Sequence, residues 1–185
     1  MSKAYKGSDF ERALCKRLSE WWTGGMRDDV FWRSSQSGGR ATQRTKKGLS
    51  TYGSYGDIAA VDPIGEPLLK VFTIELKRGS SYGIPGDLLD FKRENGKHPW
   101  VACLLQAIRA HQQAGSQGWM LICRRDHRGP IVYVETRIIG KVKLPPPSMR
   151  YRLLVEGVQG TVDFKGIPME TFLNHVRPEL IISWL

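Results

Sequence analysis

Apolar positions recur at helical spacing over residues 8–22, and this pattern predicts the first helix of the chain. Its apolar face is formed by Phe10, Ala13, Leu14, Leu18, Trp21 and Trp22. Ser8 and Glu11 have the spacing of a capping box at the helix start. The sequence Thr23-Gly24-Gly25 predicts the helix end. A second helix is predicted at about 100–114, with Pro99 in its first turn.

Short apolar runs rich in β-branched and aromatic residues predict strands between and after these helices. The runs lie at 30–33, 57–61, 71–77, 119–123 and 131–135. Turn residues at 62–65 predict a hairpin that joins the second run to the third. Further on, we expect residues 152–156 to pair with 161–165, a short helix over 167–176 and an apolar tail at 181–185.

The length of 185 residues suits one compact domain. We interpret residues 1–125 as a core with a basic loop at 34–56, and residues 126–185 as a C-terminal extension packed on that core. The N-terminus lacks the apolar segment of a signal peptide, so we expect the protein to act in the cytoplasm of the cell that makes it.

A net charge of +10, from 28 Lys and Arg against 18 Asp and Glu, favours a polyanionic partner. Nucleic acid is favoured over a membrane, because no basic amphipathic helix and no long apolar run is evident in the sequence. From Arg33 to Gly56 there is no acidic residue. The basic residues of this segment are Arg33, Arg40, Arg44, Lys46 and Lys47. We interpret the segment as an arm that binds DNA phosphates; the alternative is a solvated insertion.

The three cysteines do not have the spacing of a disulfide framework and are interpreted as free thiols. A zinc site made by Cys103, Cys123 and His127 is the alternative, although the chain has no CxxC pair.

The candidate chemistry lies in the strand at 71–77. Side chains alternate between the faces of a strand, so Glu75 and Lys77 share one face. The predicted hairpin would bring Asp57 beside Glu75, and two adjacent carboxylates favour a hard divalent cation such as Mg²⁺. Asp62 competes with Asp57 for this role, but its place before Pro63 is explained by turn formation alone. An isolated E-x-K is more often a simple ion pair.

The run GDIAA at 56–60, followed by IELK at 74–77, resembles the signature of the PD-(D/E)xK nucleases. The run GSDFER at 7–12, together with Arg33 and Ser37, resembles archaeal-type Holliday-junction resolvases. The resemblance covers about residues 7–124. It implies an α/β fold with a restriction-endonuclease-like αβββαβ core, in which helices flank a central mixed sheet. Residues 126–185 would add an α+β extension.

The resemblance also implies that Asp57, Glu75 and the Leu76 carbonyl hold Mg²⁺, with Mn²⁺ as a substitute. Lys77 would lie beside the attacking water, and hydrolysis would leave a 5′-phosphate. Glu11 would complete the metal site, although a capping box explains it equally well.

Two more residues enter through the resemblance. Ser37 would touch the scissile phosphate, and Gln106 would lie near the active site. The alternatives are that Ser37 is an ordinary loop serine and that Gln106 is a solvated glutamine on the helix surface. The loop between Ser37 and Asp57 is longer than in the resolvases, and the tail beyond residue 125 has no counterpart there, so the substrate stays open.

The leading hypothesis is therefore a Mg²⁺-dependent endonuclease that cuts branched DNA as a homodimer, without a small-molecule cofactor and without a membrane partner. One alternative is a sequence-specific or nicking endonuclease of restriction, homing or phage type. Another is a nucleic-acid-binding module without catalysis. RNA is not excluded as the substrate.

Overall fold

The structure is a computed structural model that describes residues 3–34, 55–92, 98–140 and 142–185. The helices in these ranges are α1 (Lys3–Trp22), α2 (Glu66–Val71), α3 (Pro99–Ala114), α4 (Thr136–Ile139), α5 (Met169–His175) and α6 (Pro178–Ile182). The strands are β1 (Phe31–Arg33), β2 (Ile58–Ala60), β3 (Phe72–Arg78), β4 (Gly118–Arg124), β5 (Ile131–Glu135), β6 (Met149–Leu154) and β7 (Thr161–Pro168). Short 3₁₀ helices occupy Pro63–Gly65 and Pro85–Leu89.

A five-stranded mixed sheet in the order β3-β4-β5-β7-β6 forms the centre of the molecule. Strands β3 and β4 are parallel, and α3 makes the crossover between them. The remaining neighbours are antiparallel. Helices flank the sheet, which confirms the α/β class and the restriction-endonuclease-like core expected from the resemblance.

Each face of the sheet is covered by helices, and the alternation of side chains along β4 shows why. Met120 and Ile122 point to the face covered by α1 and the C-terminal helices. Trp119, Leu121 and Cys123 point to the other face, where they pack beneath α3. Because β4 is buried on both faces, it appears in the sequence as one continuous apolar run.

The prediction of a capping box at Ser8 and Glu11 is wrong. Helix α1 begins at Lys3, so both residues lie inside the helix rather than at its N-terminus. The predicted end is confirmed, since α1 stops at Trp22 and the backbone of Gly24 and Gly25 turns to positive φ.

The predicted hairpin between residues 57–61 and 71–77 is also wrong. A 3₁₀ turn and α2 occupy the connection, and β2 pairs with β1 instead, with Ala60 opposite Phe31. Helix α2 forms because Pro67 suits a first turn and because a helix buries Leu68 and Leu69 in the core.

Beyond residue 125, the predicted pairing is confirmed: β6 and β7 are antiparallel neighbours, and α5 follows them. Strand β7 pairs with β5 as well, so the C-terminal strands continue the sheet of the core. In the described ranges, no helix is both long enough and apolar enough to cross a membrane.

Candidate active site

Strand β3 holds Glu75 and Lys77 on the face that α3 covers, as the alternation of its side chains predicts. Their neighbours in β4 are Leu121 and Cys123, which belong to the apolar cluster beneath α3. Glu75 is only 4% exposed, and Lys77 Nζ lies 3.4 Å from Glu75 Oε2. A nearly buried carboxyl group therefore has an ammonium group beside it on a rigid strand.

Asp57 lies just before β2 and is fixed against β3 by two hydrogen bonds. Its backbone N–H donates to the Ile74 carbonyl at 2.8 Å, and its Oδ2 accepts from the Leu76 N–H at 2.7 Å. The N–H and C=O of one strand residue point to the same side, so the Leu76 carbonyl also faces Asp57. The Asp57 carboxylate and this carbonyl thus lie at the same edge of β3.

Gly56 makes this close approach possible. Its φ is +81°, a conformation that L side chains rarely adopt. A Cβ atom at this position would lie 2.6 Å from the Ile74 carbonyl oxygen. The glycine before Asp57 is thus the signal in the sequence for a tight backbone contact at this position.

The electrostatics of Glu75 follow from its burial. Burial, followed by the charge of Asp57, raises the pKa of Glu75 from 4.5 to about 7, while Lys77 opposes the change. Gln106 Nε2 on α3 donates to Glu75 Oε2 at 2.7 Å. The structure therefore places Gln106 at the site, although the sequence alone gave it no partner.

Glu11 reaches the same site from α1. Burial and then the Asp57 charge raise the pKa of Glu11, whereas the Arg33 and Lys77 charges lower it. Arg33 Nε lies 3.4 Å from Glu11 Oε2. The Asp57 charge therefore acts on carboxyl groups from two other segments, and Arg33 offsets part of the negative charge at Glu11.

The oxygen donors at this site suit a hard cation. Asp57, Glu75 and the Leu76 carbonyl offer the ligand types that Mg²⁺ prefers. No set of three or more His, Cys, Asp or Glu residues in the described ranges is close enough to form a metal site by itself, so bound water would have to supply the remaining ligands.

The zinc alternative finds no support in the same ranges. Cys103, Cys123 and His127 do not form a cluster that could hold a metal ion. Burial raises the pKa of both thiols, which keeps them protonated and makes them poor metal ligands.

Asp62 has the turn role that its sequence position predicts. Its Oδ1 accepts from the Ile64 N–H at 3.0 Å, and its Oδ2 lies 2.6 Å from Arg27 Nη1. The predicted phosphate-binding residues of the basic loop lie outside the described residues: Ser37, Arg40, Arg44, Lys46 and Lys47.

In a comparison with protein-family models, residues 2–183 match the family described as "Phage putative PDDEXK endonuclease". Searches among curated proteins and among solved structures found no match.

Proposed function

Because the chain belongs to this phage PDDEXK endonuclease family, we propose that it is a Mg²⁺-dependent DNA endonuclease with Asp57, Glu75 and Lys77 as its catalytic residues. The observation that supports this most directly is the meeting of the Asp57 and Glu75 carboxyl groups with Lys77 at one edge of β3. A simple surface ion pair would not bury Glu75 or place a second carboxylate beside it.

Asp57, Glu75 and the Leu76 carbonyl would hold Mg²⁺, or Mn²⁺ in its place, with Glu11 as a further ligand through water. A bound divalent ion supplies charge neutralisation at a phosphoryl oxygen and a more acidic water. The Lys77 ammonium group orients the attacking water and offsets negative charge in the transition state. Gln106 holds the Glu75 carboxylate in one orientation through its 2.7 Å hydrogen bond.

Branched DNA is the proposed substrate, and a homodimer is the proposed assembly. The upstream likeness to resolvases supports the substrate, and two symmetric cuts in a four-way junction require two-fold symmetry. The net charge of +10 supports a polyanion. The family description names a phage endonuclease, which supports an endonuclease of phage type, sequence-specific or nicking, as the second candidate.

The test is cleavage of three labelled DNAs, a four-way junction, a linear duplex and a single strand, with Mg²⁺ and with EDTA. Wild type is compared with Lys77→Ala and Asp57→Asn. Asp62→Asn is the matched control, because it removes a nearby carboxylate that serves a turn.

We expect Mg²⁺-dependent cleavage that both active-site variants lose and the control retains. Paired symmetric cuts in the junction alone support the resolvase-like activity, whereas cuts at fixed sites in the linear duplex support the second candidate. DNA binding without cleavage in wild type would show that the chain is a binding module.

A further inference from the structure

The turn between β4 and β5 carries a basic cluster close to Lys77. Residues 124–128 read Arg-Arg-Asp-His-Arg, with Asp126 as the one carboxylate. Arg124 is paired in register with Arg78, and the preceding pair is Cys123 with Lys77. The turn therefore begins where β3 leaves the candidate active site.

Arg78 holds this turn in a fixed conformation. Its Nη1 donates to the carbonyl oxygens of Arg124 and Arg125 at 3.4 and 3.0 Å, and its Nη2 lies 3.1 Å from Asp126 Oδ1. The Gly79 N–H also donates to the Arg124 carbonyl at 3.0 Å. Because Arg78 occupies Asp126, the carboxylate of the turn does not neutralise the arginines beside it.

Arg125 and Arg128 have no carboxylate within ion-pair distance among the described residues. Arg125 directly follows β4, and its charge acts on Tyr82 and Tyr133, which belong to the apolar cluster on the face where Lys77 lies. Tyr82 lies within reach of the Arg125 charge, and its hydroxyl donates to the Lys77 carbonyl at 3.4 Å.

Two exposed arginines on β6 are engaged differently. Arg150 and Arg152 on β6 both pair with Asp163, at 2.6 and 2.9 Å. Their charge is partly cancelled, and they lie on the far edge strand of the sheet. The turn after β4 differs because its uncompensated charges lie beside the candidate active site.

The spacing suits the backbone of a DNA strand. From strand rise and strand separation, the Cα atoms of Lys77 and Arg125 are roughly 8 Å apart. Two cationic side chains at this separation can bind phosphates of the same DNA strand, one at the scissile position and one close to it along the backbone.

We propose that Arg125 and Arg128 form a phosphate-binding site that holds the DNA backbone next to the position of cleavage. This inference rests on the proposed function, since it assigns a second contact to the same substrate. Arg78 acts in it as a positioning residue that keeps the turn in place.

The test measures DNA binding of the double variant Arg125→Gln/Arg128→Gln in EDTA, where cleavage cannot interfere, over a range of salt concentrations. Lys143→Gln/Arg177→Gln is the matched control, because it removes the same charge from exposed positions elsewhere. Arg125→Lys/Arg128→Lys keeps the charge and tests for a packing effect. Circular dichroism and thermal unfolding verify that each variant folds.

We expect the glutamine variant to bind duplex and junction DNA about 10-fold more weakly per arginine removed. The slope of log Kd against log salt should fall by about 2. The control should bind like wild type, and the lysine variant should keep most of the affinity. If the Lys143→Gln/Arg177→Gln control loses as much DNA affinity as Arg125→Gln/Arg128→Gln, the loss is explained by net charge alone and the inference is overturned.

The two proposals can fail separately. If wild type binds and cleaves DNA while the glutamine variant matches it in affinity and salt slope, the phosphate site is refuted and the endonuclease stands. If wild type neither binds nor cleaves any of the DNAs, the proposed function is refuted and the phosphate site with it.

Discussion

The nearly buried carboxyl group of Glu75 should make the stability of the metal-free protein depend on pH. Its pKa in the folded state is about 7, against an ordinary value of 4.5, because of burial and then the Asp57 charge. A raised pKa means that the folded state binds the proton more tightly than the unfolded state. The stabilisation is complete below about pH 4.5 and is lost as the pH rises through 7.

Glu75→Gln removes this titration while it keeps the side-chain volume and an oxygen that can accept from Gln106. At about 1.4 kcal/mol for each pKa unit, the change from 4.5 to about 7 corresponds to about 3 kcal/mol. Wild type should therefore lose about 3 kcal/mol of unfolding free energy relative to Glu75→Gln between pH 4.5 and pH 8. Loss of the Lys77 contact also changes the unfolding free energy of the variant, by an amount that depends little on pH over this range.

The assay is urea denaturation in EDTA at several pH values from 4.5 to 8, with the difference between the two proteins plotted against pH. Glu66→Gln, at an exposed position, is the reference for the removal of a carboxylate. At pH 8, addition of Mg²⁺ should stabilise wild type more than Glu75→Gln, since only wild type keeps both carboxylates. A difference that stays flat across the pH range would refute the description of Glu75 as a buried, titrating acid.

Three further substitutions test the geometry around this site. Gly56→Ala should cost about 3 kcal/mol in urea denaturation, because its Cβ would clash with the Ile74 carbonyl at a positive φ; wild-type stability would contradict that contact. Asp62→Asn should change the cleavage rate less than 2-fold, while Asp57→Asn should lower it at least 100-fold. If a cleavage assay gives the reverse order, Asp62 is the catalytic carboxylate and Asp57 is not. Glu11→Gln should leave the helix content measured by circular dichroism unchanged, because Glu11 lies inside α1. A lower helix content would show that Glu11 caps the helix after all.

The elements that the sequence predicted best are those with a strong local pattern. Helix α3 has Pro99 in its first turn and an unbroken apolar stripe, and β4 is one apolar run. The start of α1 was missed because Gly7 is a poor helix former and Ser8 matches a frequent capping motif. Local propensity placed that boundary too late, and the five residues before Ser8 continue the helix.

The site was predictable only where it depends on local periodicity. Alternation alone places Glu75 and Lys77 on one face of β3. The approach of Asp57 to Glu75 was expected from a hairpin that does not form, and two hydrogen bonds from a segment paired with β1 produce it instead. The contact of Gln106 with Glu75 depends on how α3 docks against the sheet, which no local pattern encodes.

The strands beyond residue 125 affect the candidate site through α3 and not by supplying donors to it. Tyr133 on β5 and Phe164 on β7 pack against Trp100, the second residue of α3, with ring centroids 5.3 and 5.2 Å away. These contacts fix the helix over the sheet, and Gln106 lies between one and two turns further along it. Since Gln106 donates to Glu75, the position of that carboxyl group depends on aromatic packing in the C-terminal strands. The extension is therefore part of what holds the site in place, whatever DNA the chain binds.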